Sequence, residues 1–420
     1  MNVHLQKSEV KNQELKVTIT GSKSETNRLL LLQALYPNLT IDNISNSDDS
    51  EVMQKALKVL SEKSTTVDVH HAGTAMRFLT AFFAIQEEKE IVLTGSSRMK
   101  ERPIKILVEA LQQLGAEISY AENEGYPPIQ IKGKKLTQNK VSLPANVSSQ
   151  YISALLLIAP KLENGLELTL EGEITSVPYI KMTLALLNEI GIETTFENNK
   201  ITVCHAKLVE ATRLTVESDW SSASYWYSIV ALSEIGTQIT LSSYKKNSLQ
   251  GDASLSEIYK DFGVETLFNV NNTITISKTK NCHSNNSEQA KQLSIVNYQL
   301  NNCPDIAQTI AVTCFGLGIG CDLFGLHTLK IKETDRLEAL KTELTKLGAA
   351  ISVTNESLHL KPSTLINENT AIKTYQDHRM AMAFAPLALR TPIIIDEAEV
   401  VSKSYPDFWN DLKSVGFLME

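Results

Sequence analysis

A helix-to-strand phrase ending on glycine recurs along the chain, at Ala110–Ile118, Leu186–Thr194, Ile258–Thr266, Leu344–Ile351 and Asp411–Gly416. In each, apolar residues three or four positions apart run up to Gly115, Gly191, Gly263, Gly348 or Gly416 and a short segment follows. That is the pattern of an amphipathic helix closed by a left-handed cap and continued as a strand. Ala56–Leu60 is a weaker copy without the glycine. The glycines lie roughly 70 to 85 residues apart, too far for a solenoid repeat and suited to an α+β subdomain. Six copies of one unit are expected.

Strand-like pieces rich in β-branched or alternating apolar residues lie between the phrases, at Glu90–Thr94, Leu166–Leu170, Gln238–Leu241, Thr273–Ile276 and Pro392–Ile395. The Asn/Ser-rich stretches Asn281–Glu288 and Asn367–Thr370 read as surface loops. A chain of 420 residues exceeds one ordinary core, so two domains are expected. The longest apolar stretches, Ile152–Pro160 and Ile310–Leu326, fall short of the ~20 residues a membrane span needs. Met1–Thr20 is polar and has the make-up of neither a secretory signal nor a transit peptide, so a cytoplasmic location is expected.

A net charge of −8 argues against a nucleic-acid partner, which would need a basic face. Any anion site must be local. Cys204, Cys282, Cys303, Cys314 and Cys321 lack metal-ligand spacing and are odd in number, so neither a structural zinc nor a disulfide framework is expected. No dinucleotide fingerprint or other cofactor signature is visible.

Local cation sites are plentiful. Lys330-Ile-Lys-Glu-Thr-Asp-Arg336 gathers Lys332, Glu333 and Arg336 just before an apolar helix pattern, Leu337, Leu340, Leu344 and Leu347. Gly21-Ser-Lys-Ser-Glu-Thr-Asn-Arg28 is a glycine-led loop entering a helix, without Walker A spacing. Ala72-Gly-Thr-Ala-Met-Arg77 repeats the design, with Gly73 admitting close backbone approach and Thr74 able to cap. Arg98-Met-Lys-Glu-Arg-Pro103, Ser148-Ser149-Gln150, Ser176, Asp377-His-Arg379 and Ser402-Lys-Ser404 complete the set. Singly, each is as well explained by a cap or a solvated charge. Together, at least six helices read as starting on Ser, Thr or Gly with Lys or Arg in or beside the first turn, against the helix dipole. The pattern predicts cations that protein carboxylates leave unneutralised, for anionic ligands.

These motifs, in this order from Gly21 to Lys403 and with Cys303-Pro-Asp-Ile-Ala307 and Ser404-Tyr-Pro-Asp-Phe408 among them, resemble the 5-enolpyruvylshikimate-3-phosphate (EPSP) synthase family of enolpyruvyl transferases. The resemblance implies a two-domain inside-out α/β barrel, each domain three βαβαββ units. It places one lobe at residues 21–218 and the other at 1–20 plus 219–420, with the active site in the cleft and closure over the substrates. It implies transfer of the carboxyvinyl group of phosphoenolpyruvate to shikimate 3-phosphate by a monomer needing no metal or organic cofactor, with no nucleic-acid or membrane partner.

Carried over by motif, Asp305 would be the base near the ring hydroxyl and Glu333 the acid for the alkene carbon, with Lys23 able to assist either transfer. Shikimate 3-phosphate would meet Lys23, Ser24, Arg28, Ser148, Ser149, Gln150, Ser176, Asp305 and Lys332. Phosphoenolpyruvate would meet Lys23, Gly73, Arg102, Gln150, Arg336, Arg379 and Lys403. Thr20, His71, Phe78 and Thr328 depart from the family's usual residues, which leaves the fine shape of the phosphoenolpyruvate pocket open. Two rival readings are an enolpyruvyl transferase acting on UDP-N-acetylglucosamine and an inactive anion-binding homologue. The loop 94–103 lacks the cysteine or aspartate of the first rival, and a protein without catalysis has no need of both Asp305 and Glu333.

Overall fold

The structure is a computed structural model, and it describes residues 1–10, 15–59, 64–146, 148–172, 174, 177–281 and 295–420. They form two compact units, Gly21–Val216 and Met1–Thr20 with Glu217–Glu420.

One sheet pattern recurs in both. In the Gly21–Val216 unit, Ser64–Asp68 pairs parallel with Glu90–Thr94, which pairs antiparallel with Ile129–Lys132, itself antiparallel to Glu117–Tyr120. Lys140–Pro144, Leu166–Glu171, Lys200–Val203 and Thr194–Glu197 repeat this order. In the other unit, Leu15–Val17 with Gln238–Leu241 and Ile295–Gln299 with Gly320–Phe324 are the parallel pairs of two more such sheets. Thr370–Ile372, Ile393–Ile395 and Val3–Leu5 form a three-stranded version, and Arg213–Thr215 pairs parallel with Thr40–Asp42. A parallel pair needs a crossover, and Gly73–Ala84, Ser149–Ile158, Ala307–Leu317 and His378–Phe384 supply it in four of these sheets.

The helices divide into two kinds. Lys23–Leu35, Gly73–Ala84 and Ser149–Ile158 in one unit are buried over nearly their whole surface, as are Trp220–Leu232, Ala307–Leu317 and His378–Phe384 in the other. Each trio packs against itself. Helices buried on all sides belong in a core, Lys23–Leu35 taking Glu25, Thr26, Asn27 and Arg28 in with its leucines, and each fully buried Leu, Ile or Phe adds roughly 1.5–3 kcal/mol. Gly316 shows how close the packing is: a Cβ there would lie 2.8 Å from Leu232 Cδ2.

The second kind is amphipathic and carries the glycine phrases. Gly115, Gly191, Gly263, Gly348 and Gly416 all have positive φ. In four of the five, the next residue's N–H donates to a carbonyl five residues back: Ala116 to Leu111, Ile192 to Leu187, Ala349 to Leu344, Phe417 to Leu412. This is the Schellman closure, and it turns each helix directly into the following segment. Leu60 of the weaker copy and residues 282–288 of the Asn/Ser-rich loop lie outside the described residues.

Candidate active site

The buried trios explain where the chemistry collects, because their N-termini carry the charged motifs. In the unit containing residues 217–420, Asp305 sits in the 3-10 turn Pro304–Ile306 that enters the buried helix Ala307–Leu317. Arg336 begins the helix Arg336–Lys346 and is 2% exposed. Its Nε donates to Asp377 Oδ2 at 2.6 Å, one Nη to Asp305 Oδ1 at 2.8 Å and the other to Glu333 Oε2 at 2.7 Å. Lys332 Nζ lies 3.4 Å from Asp305 Oδ1, and an Arg379 Nη lies 3.6 Å from Asp305 Oδ2. Asp305 is thus the shared partner of three cations.

Those cations decide its ionisation. Burial pushes the Asp305 carboxyl up, but Lys332, Arg379 and Arg336 outweigh it and hold the group well below the usual carboxylate range. Burial would lower Arg336, yet Asp377, Glu333 and Asp305 keep it above its ordinary value. Lys403 stands at the end of the turn Ala398–Lys403 and donates to the Gln376 carbonyl at 2.8 Å.

This corrects the expectation of unneutralised cations for Lys332, Arg336 and Arg379. Nor do these helices start on Ser, Thr or Gly. Asp335 caps Arg336–Lys346, Asp377 caps His378–Phe384 by accepting from the Arg379 N–H, and Asp219 caps Trp220–Leu232. An aspartate at a helix start satisfies free N–H groups and the dipole, and here Asp377 also accepts from Arg336.

The Gly21–Val216 unit holds a different arrangement. Lys23 and Ser24 open the helix Lys23–Leu35 itself, and Lys23 Nζ lies 3.4 Å from Asp49 Oδ2. Arg28 is buried and donates to Thr183 Oγ1 at 2.7 Å, Ser153 Oγ at 2.9 Å and the Ser24 carbonyl at 2.6 Å. Its guanidinium lies 5.3 Å from the ring centre of Phe78, one of the unusual residues, and burial brings it down to about 10. Ser148 caps Ser149–Ile158, accepting from the Gln150 N–H, while Gln150 Nε2 donates to Thr74 Oγ1 at 3.1 Å. Thr74 makes no cap; Ala72 is the N-cap of Gly73–Ala84. Ser176 lies outside the described residues.

Arg102 does match the expectation of a cation without a protein carboxylate among the described residues. A Cβ on Gly73 would lie 2.6 Å from one Arg102 Nη and 2.9 Å from an Arg77 Nη, so both guanidiniums rest against bare glycine. Burial first, and then the Arg102 charge, bring Arg77 down to about 10. Two like charges held together stabilise a bound anion more than they stabilise the empty site.

The profile of the family described as EPSP synthase (3-phosphoshikimate 1-carboxyvinyltransferase) matches residues 7–412. The chain belongs to the EPSP synthase family. A Bacteroides fragilis relative of that carboxyvinyltransferase name is 44% identical over 410 residues, 96% of each chain. A Haemophilus influenzae relative of the same name is 35% identical, covering 95% of this chain and 96% of that one. The structure of EPSP synthase from Acinetobacter baumannii aligns with a TM-score of 0.80 at 21% identity, over 100% of this chain and 99% of that one, and so shows the two-domain fold of the family.

Within the family frame, the motifs pointed at charged residues but missed their partners. Asp377 was readable only as a cap, and Asp49 opens an ordinary amphipathic helix. Asp252, unflagged in sequence, is buried and accepts from the Ser221 hydroxyl. Burial first, then Asp305, push its carboxyl up to about 6, against the pull of Arg379 and Ser221. The folded chain therefore holds a proton there that the unfolded chain loses above about 3.8, so this group's contribution falls as pH rises from about 4 to 6. Asp252→Asn should flatten the pH dependence of the denaturation midpoint across that window; an unchanged slope would contradict the assignment.

Proposed function

We propose that this chain transfers the carboxyvinyl group of phosphoenolpyruvate to shikimate 3-phosphate, giving 5-enolpyruvylshikimate 3-phosphate and phosphate on the route to chorismate and the aromatic amino acids. The observation that carries this reading is the single carboxylate Asp305 shared by Lys332, Arg336 and Arg379. A group held so far below the usual range is a poor base at neutral pH, where efficient proton transfer needs a pKa nearer the working pH. Anionic substrates compete for the same cations. As a phosphate or carboxylate draws Lys332, Arg336 and Arg379 away, Asp305 regains basicity and can take the ring hydroxyl proton. Substrate arrival and activation of the base become one event.

In this reading the hydroxyl oxygen attacks C2 of phosphoenolpyruvate while Glu333 delivers a proton to the methylene carbon. The tetrahedral adduct then returns a C3 proton to Glu333 and expels phosphate, which departs with the hydroxyl proton that Asp305 took, so the protons balance. Glu333 is about one-third exposed while its Arg336 partner is buried. Lys23, Ser24, Arg28, Ser148, Ser149, Gln150, Ser176, Asp305 and Lys332 receive shikimate 3-phosphate. Lys23, Gly73, Arg102, Gln150, Arg336, Arg379 and Lys403 receive phosphoenolpyruvate, with the Arg102 fork suited to a bidentate anion. No helix among the described residues is long and apolar enough to cross a membrane, in keeping with a cytoplasmic enzyme, which we read as a monomer.

Phosphate release decides the matter. It is expected only when phosphoenolpyruvate and shikimate 3-phosphate are supplied together. Equal release with UDP-N-acetylglucosamine as acceptor, or none with shikimate 3-phosphate, would reject the reading.

A further inference from the structure

The Arg379 guanidinium is grasped from two sides. One Nη donates to the Asp305 carbonyl at 3.3 Å. The other donates to Ser221 Oγ at 3.1 Å and lies 3.6 Å from Asp305 Oδ2. A hydroxyl has one hydrogen and two lone pairs, so Ser221 can accept from Arg379 dependably only if its own hydrogen is committed elsewhere. Asp252 Oδ2 takes that hydrogen.

Both residues are built into the core of the unit. Ser221 lies in the first turn of the buried helix Trp220–Leu232, 7% exposed, and Asp252 lies in the 3-10 turn Gly251–Ser254, 6% exposed. The side chain of Gln250 ties that turn to the helix start, its Oε1 accepting from the Trp220 N–H at 3.0 Å and its Nε2 donating to the Ser218 carbonyl at 2.9 Å. The hydroxyl rotor is therefore clamped between a fixed acceptor and a fixed donor.

We propose that Asp252, acting through Ser221, is a positioning residue that holds Arg379 in place for the anionic group of phosphoenolpyruvate. The inference rests on the reading above that Arg379 receives phosphoenolpyruvate. When Asp305 surrenders its cations to substrate, the Ser221 hydroxyl and the Asp305 carbonyl are the anchors left to Arg379, and Asp252 keeps the hydroxyl oriented. Without Asp252 the hydroxyl is free to turn its hydrogen toward the guanidinium, and the arginine loses its aim.

Steady-state kinetics of Ser221→Ala, Asp252→Ala, Asp252→Asn, the double alanine variant and Arg379→Gln test this. Ser221→Ala and Asp252→Ala should each raise the KM for phosphoenolpyruvate by about tenfold, the scale of one charge-assisted hydrogen bond, with kcat within about threefold and the KM for shikimate 3-phosphate unchanged. Asp252→Asn still accepts the hydroxyl hydrogen and should recover most of the loss. The double variant should be no worse than either single one, because both remove the same link. An unchanged KM for phosphoenolpyruvate in folded Ser221→Ala, or fully additive effects in the double variant, would overturn the proposal. Should Asp252→Ala fail to fold, Ser221→Ala and Asp252→Asn decide alone. Arg379→Gln separates the two claims: if it leaves that KM unchanged, the reading of Arg379 as a phosphoenolpyruvate ligand fails, whatever Asp252 does.

Discussion

Arg336→Met is expected to lower turnover by roughly two to three orders of magnitude and to destabilise the unit that holds it by about 3–5 kcal/mol. One buried guanidinium serves three carboxylates, Asp305, Glu333 and Asp377, and the Asp377 side chain has no exposed surface. Methionine fills similar space but leaves those charges without their shared partner, and an uncompensated buried charge is among the costliest defects a point change can make. Arg336→Lys keeps the charge but loses the planar fork that reaches three acceptors at once, so it should fall between wild type and Arg336→Met in both respects. Urea denaturation followed alongside kcat checks both effects. Wild-type stability in Arg336→Met would mean the three carboxylates are satisfied without it.

Asp305→Asn should lower kcat by roughly a hundredfold or more, the scale of a lost general base, without raising the KM for phosphoenolpyruvate. An unraised KM distinguishes loss of the base from simple damage. Removing the carboxylate removes the competitor that Lys332, Arg336 and Arg379 face in the free protein, so substrate anions should bind as well or better. A general disruption would raise KM and lower kcat together. Near-normal turnover would take Asp305 out of the mechanism.

Much of the fold was readable because its signals are local. A glycine after an amphipathic run forces a cap within a few residues, and the Schellman hydrogen bonds at Gly115, Gly191, Gly348 and Gly416 are short-range events. The charged motifs were readable for the same reason: each lies within a few positions of a helix start. What sequence could not supply was partnership. Asp305 and Arg336 are 31 residues apart, Arg336 and Asp377 are 41 apart, and Ser221 and Arg379 are 158 apart. Counting Lys and Arg at helix starts shows where cations gather but not which acids fold back onto them. The expectation of bare cations therefore failed for Lys23, Lys332, Arg336 and Arg379, while Arg102, set beside Arg77 and a glycine, matched it. Asp252 escaped notice because nothing adjacent to it in sequence is charged or motif-like.

Catalysis by this mechanism turns on cations that leave Asp305 for substrate. A crystal structure of the protein with shikimate 3-phosphate and phosphoenolpyruvate bound, captured in Asp305→Asn and, with shikimate 3-phosphate and inorganic phosphate, in the wild type, measures that directly. Ligand oxygens are expected within hydrogen-bond distance of Lys332, Arg336 and Arg379, with the 2.8 Å contact between Arg336 and Asp305 lengthened or lost in the wild type. Bound ligands with all three cations still on Asp305 would contradict it.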